Sequence, residues 1–127
     1  MLALVCLPYP KRRGIEMHLT NSFSINMINP GILGEKLYIS IVMVETQTAK
    51  WFAAQTWCRS VVGHEDTARA ASLQLEVPVA FNRETIRMNK NESVLVCQYH
   101  GPRLEEGATS LPEGASLGYY LVKLLDI

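Results

Sequence analysis

The chain has 127 residues, 48% of them apolar, with 12 basic side chains balanced by 12 acidic ones. That length reads as one domain with room for a buried core, and 19% charged residues is too few for a solvating, disordered segment. The zero balance excludes the broad basic face that a protein tracking duplex nucleic acid requires.

Residues 1–16 read differently from the rest of the chain. Two prolines (Pro8, Pro10) and a basic triplet, Lys11 to Arg13, leave no helix or strand period. The apolar run Leu2 to Leu7 is far short of the ~18 residues of a membrane span. Its positive charges come after it, whereas a secretory signal places them first. We expect an N-terminal extension over 1–16 and a folded unit over 17–127, with an ordered edge strand at Leu2–Leu7 as the alternative. Without the extension, nine basic residues face eleven acidic ones. Three dispersed cysteines (Cys6, Cys58, Cys97) fit reduced thiols and a cytoplasmic location better than a disulfide frame.

From Met17 the elements become legible. Residues 17–22 predict a short strand, followed by a Ser/Asn-rich bend from Ser22 to Met27 and a loop at Asn29-Pro30-Gly31 and Gly34. Lys36 to Glu45 is β-branched and apolar on both faces, which predicts a central strand buried on two sides. Thr46 to Ser60 places Trp51, Ala54 and Cys58 on one helical face, with Thr46 or Thr48 as cap. Gly63-His64 breaks the pattern, and Asp66 to Leu75 predicts a second helix ending before Pro78. Glu84 to Asn89 alternates like a strand, Lys90 to Glu92 suggests a hairpin turn, and Ser93 to Tyr99 would pair back. A Pro/Gly-rich stretch, Gly101 to Gly114, precedes a last strand from Leu117 to Asp126. The expected class is α/β (α+β): a single mixed sheet of about five strands flanked by helices.

Familiar chemical signatures are missing: there is no GxxxxGK[ST], GxSxG, HExxH or GxGxxG. Cys97-x-x-His100 has the spacing of half a zinc site, with Cys58 and His64 as an imaginable other half. Cys97 alternates with Val94 and Val96 in a strand pattern, however, and reads better as a core thiol. What remains is polar residues at the ends of elements, where binding and catalytic groups gather. Asn21, Ser24 and Asn26 come after the first strand; Gly63-His64-Glu65-Asp66-Thr67 opens a helix; Asn82-Arg83 precedes the alternating segment; Arg103 to Gly107 lies beyond the next strand. A histidine at a helix N-terminus combines outward N–H groups with a side chain that ordinarily titrates near neutrality. Taken singly, each group also reads as a turn, a cap or a surface ion pair.

Together, LTNSFSINM (Leu19–Met27), VGHEDT (Val62–Thr67), NR (Asn82–Arg83) and RLEEG (Arg103–Gly107), in this order and spacing, resemble a small viral and prokaryotic family. That family, once a domain of unknown function, comprises ring nucleases, including viral anti-CRISPR proteins that disarm type III CRISPR signalling. The resemblance runs from Met17 to the C-terminus. It implies a homodimer that binds cyclic tetra-adenylate and cuts it, without metal or cofactor, into linear di-adenylates ending in 2′,3′-cyclic phosphates. His64 then stands at the catalytic histidine, with Arg103 and Glu106 at the active-site arginine and glutamate. Asn21, Ser24, Ile25, Asn26, Thr67 and Arg83 fall on the ligand-contacting loops. The sequence departs from the family pattern at Pro102, where a Gln is expected, and His100 is near enough to be a stand-in or a rival acid. A non-catalytic sponge or sensor for cyclic oligoadenylate would share every binding residue, and a structural dimer is the third reading.

Overall fold

The computed structural model describes residues 17–32, 34 and 36–125. Strand β1 (Met17–Thr20) is followed by two 3-10 turns, Ile25–Met27 and Pro30–Ile32. Next come β2 (Tyr38–Val44), α1 (Thr46–Ala53), β3 (Cys58–Ser60) and α2 (Glu65–Leu75). Strands β4 (Ser93–His100) and β5 (Ser116–Leu125) close the order. One five-stranded sheet results, with spatial order β2-β5-β4-β1-β3. Its β2-β5 and β5-β4 pairs are antiparallel, and β4-β1 and β1-β3 are parallel. The expected mixed five-stranded sheet with helices is the observed fold. The expected extension over 1–16 lies outside the described residues.

Alternation along β4 divides the core in two. Leu95 and Cys97 face α1 and α2, where they pack with Leu19, Ala49, Ala68, Ala71, Leu75 and Tyr119. The alanines let the helices lie close to the sheet. Val94 and Val96 point the other way, to a layer built from irregular chain: Ile28, Val61, Ile86 and Met88, with Val122 and Leu124 of β5. Fully burying a side chain such as Leu75 or Leu95 contributes about 1.5–3 kcal/mol. Helix α2 stops at Glu76, whose φ of 59° is left-handed. Beyond it, Ser72 Oγ bonds both the N–H and the carbonyl of Val79.

Four expectations need correcting. Among the described residues, the apolar segment predicted as a central strand is the edge strand β2, paired with β5. Its side chains are exposed, Ile41 by 63% and Met43 by 76%. A continuous apolar run is equally compatible with burial on two faces and with an unpartnered surface. Second, the helix predicted through Ser60 ends at Ala53. Glu45 is its N-cap and makes no side-chain bond there, so neither Thr46 nor Thr48 caps it. Trp51 is 52% exposed while Ala49 is buried, and Cys58 begins β3, which pairs with β1. The second and third predicted strands are therefore separated by a helix, a short strand and a second helix. Third, residues 84–89 alternate in burial at Ile86 and Met88 but, among the described residues, build no strand ladder; their β-type pairing is an isolated Ile28–Met88 bridge. Fourth, residues 90–92 do turn, with Asn91 left-handed at φ 69°. Strand β4 then runs between β1 and β5 instead of pairing back.

Candidate functional site

Parallel strands β3, β1 and β4 all end on the same edge of the sheet, and crevices outside such carboxyl ends are where open α/β sheets bind ligands. A cleft of about 350 Å³ opens there. Asn21, just past β1, lines it together with His64, Asp66 and Thr67 from the start of α2. Gln98 and Tyr99 of β4, then Gly101 and Arg103 beyond it, complete the wall.

His64 is the N-cap of α2, with extended backbone (φ −130°, ψ 120°), and its ring is not used as a helix cap. Its Nδ1 lies 3.4 Å from Thr67 Oγ1, and Thr67 itself is buried at 6% exposure. The turn before His64 is gripped at Gly63 from two directions. Asn21 Oδ1 accepts the Gly63 N–H at 2.9 Å. Arg83 donates Nη2 (3.0 Å) and Nε (3.3 Å) to the Gly63 carbonyl. A Cβ on Gly63 would sit 3.3 Å from Arg83 Cγ, so the close approach suits glycine. Asn82 steadies the neighbouring chain through Nδ2 to the Ser60 carbonyl (2.9 Å) and its N–H to the Val62 carbonyl (2.8 Å).

Across the cleft, Gly101 has φ +154°, and a Cβ there would fall 2.7 Å from the Ala115 side chain. Tyr99 Oη donates to the Pro102 carbonyl at 2.6 Å, fixing the path into Arg103. The Arg103 side chain makes no hydrogen bond or ion pair with the described residues and is exposed, leaving its donors for a ligand. It also borders a second cleft of about 460 Å³ formed by the adjoining loop, and Glu106 belongs to that one. His100 is exposed at the end of β4 and lines neither cleft.

Of the residues expected from sequence, the structure brings Asn21, His64, Thr67 and Arg103 into one cleft. Arg83 reaches it indirectly, through Gly63. Ile25 and Asn26, in the exposed 3-10 turn beyond β1, and Ser24, its N-cap, do not line it. Sequence reasoning missed Gln98, Tyr99 and Gly101. The signal was available: Gln98 is the first polar residue after the buried run Val94–Cys97, at the carboxyl end of a strand.

Cys97 is buried in the helical side of the core, and desolvation pushes its thiol up to about 12. Burial in β3 pushes Cys58 up to about 11. Among the described residues no His, Cys, Asp or Glu groups converge as a metal site, and no helix is long and apolar enough to cross a membrane. Outside the cleft, Arg59 holds Glu84 by a two-pronged bond (2.7 and 3.1 Å) and, with Asn82, draws its carboxyl down to about 2.

The family model described as STIV B116-like matches residues 17–121. B116 of Sulfolobus turreted icosahedral virus (STIV) shares the fold, with a TM-score of 0.64 over 85% of this chain and 98% of that chain. Identity between the two is 22%, so the likeness is one of architecture. No curated protein matches the chain.

Proposed function

The chain belongs to the STIV B116-like family, and from that premise we propose that it is a metal-independent ring nuclease acting on cyclic tetra-adenylate. One observation carries the reading: His64 and Arg103, whose side chain has no polar partner among the described residues, line the same cleft on opposite elements. In this reaction the ribose 2′-hydroxyl attacks the adjacent phosphorus, so the substrate supplies its own nucleophile. The 2′-O–P bond forms, the P–O5′ bond breaks, and a 2′,3′-cyclic phosphate remains. Solvent takes the proton from the 2′-hydroxyl. Protonated His64 gives one to the departing 5′-oxygen, general acid help worth about 10²–10⁴-fold. Arg103 offers a planar fork to the phosphate oxygens as their charge grows. Asn21 and Arg83, by fixing Gly63, hold the imidazole where the leaving oxygen must arrive.

Two copies related by a two-fold axis would set two such clefts around one ring of four phosphates. Two cuts then yield two linear di-adenylates and switch off type III CRISPR signalling. Cytoplasm is where that messenger is met. Glu106 lines the neighbouring cleft, which Arg103 also borders, and its part in this scheme is to orient Arg103.

Labelled cyclic tetra-adenylate incubated with the protein in EDTA tests the reading. We expect wild-type protein to release di-adenylates bearing cyclic phosphate, and His64→Ala to bind the ring while cutting at least about 10²-fold more slowly. Binding without cleavage by the wild type would make the protein a sponge, and no binding would leave a structural dimer.

A further inference from the structure

We propose that Arg69, in the second turn of α2, is a positioning residue that pins the Arg103 loop against the helix opened by His64. The pin is a matter of geometry; its catalytic consequence rests on the ring-nuclease reading above.

Arg69 Nη2 donates to the Glu105 carbonyl at 2.5 Å, and the Ala108 N–H reaches the same oxygen at 3.1 Å. Among the described residues this is the one hydrogen bond between α2 and residues 101–110. Asp66, one turn earlier and inside the cleft, lies 3.9 Å from the Arg69 guanidinium on its far branch. Arg69 keeps about a third of its side chain exposed (32%). The loop's other ties come from its own neighbourhood. Leu104 is buried at 5% exposure, and Tyr99 of the preceding strand holds the Pro102 carbonyl.

Arg103 has no polar side-chain partner among the described residues, so its guanidinium takes its position from the backbone on either side. Pro102 behind it is fixed to β4, and Glu105 ahead of it is fixed to α2. His64 stands at the N-terminal end of that same helix. A rigid helix carrying both the histidine and the pin sets the separation between the proton donor and the phosphate-binding fork. Loss of the pin leaves both catalytic side chains in place and frees their relative orientation, which is the quantity that positioning catalysis depends on.

The test compares wild type, Arg69→Ala and Arg69→Lys, with amide hydrogen exchange as the first readout. In Arg69→Ala, exchange across residues 102–108 should rise about tenfold, the loss of one charge-assisted hydrogen bond. Exchange within α2 should stay at the wild-type rate. Arg69→Lys, which restores a cationic donor, should recover most of the protection. On cyclic tetra-adenylate, Arg69→Ala should lose about tenfold in kcat with KM held within about twofold. Unchanged loop exchange overturns the pin, and faster exchange with unchanged kcat overturns the positioning role. A wild-type protein that cuts no cyclic tetra-adenylate overturns the proposed function instead, and loop exchange alone then decides the pin.

Discussion

Asn21 and Arg83 lie far apart in the chain yet meet at Gly63, one taking its N–H and the other supplying its carbonyl with donors. A side chain that accepts a single, half-buried N–H contributes about 1 kcal/mol. Asn21→Ala is therefore expected to lower the unfolding free energy by about that amount in a urea titration. Asn21→Asp, which keeps an acceptor oxygen at the same place, should stay close to wild type. At this scale the sequence marked the polar positions at element ends but carried no information on their partners. The blocks around Asn21 and Arg83 marked both as ligand contacts; their bonds give them a further part, shaping the turn that presents His64. A spacing pattern can mark a polar residue at an element's end, but its partner depends on which distant turn the fold brings alongside.

Among the elements, β2 stands out because it is the edge strand of the described sheet and most of its side chains are exposed. A long apolar edge strand is a template for adding another strand, and natural sheets blunt such edges with charge. Met43→Lys should lower concentration-dependent association measured by light scattering, with stability held within about 0.5 kcal/mol, as for other exposed positions. The strands at 17–20, 93–100 and 116–125 and the second helix were readable because alternation and helical period hold over their whole length. Strand β3 was not, since its three residues carry too little pattern to separate them from the end of a helix. Residues 84–89 show the opposite failure. They alternate in burial, with Ile86 and Met88 inward, yet most of their length lies against irregular chain that offers no ladder. Alternation reports a half-buried extended segment, and pairing depends on what lies beside it.

For the molecule as a whole, the buried thiols set the alkaline limit of stability. In the folded state Cys97 keeps its proton up to about 12 and Cys58 up to about 11, against an ordinary value of 9.0. Tyr119, packed beside Cys97, is likewise pushed up by burial. Below pH 9 both thiols are protonated in either state, and the full stability is present. From pH 9 upward the unfolded chain releases these protons while the folded chain retains them, so stability falls as pH rises toward 12. The decline should approach about 1.4 kcal/mol per pH unit for each such thiol. Urea midpoints measured from pH 8 to 11 should show it, and Cys97→Ala should flatten the slope whatever it does to the absolute value.

The sheet order has a consequence in time. Strand β1 is first among the described elements, yet its two neighbours are β3 and β4, the latter nearly eighty residues further along. A ribosome adding about 5–20 residues per second would deliver β4 on the order of four to fifteen seconds after β1. Throughout that interval Met17 and Leu19 have no completed sheet to enter. The cleft, whose walls come from the ends of β1 and β4 and the start of α2, is thus among the last parts of the protein to be assembled on a nascent chain.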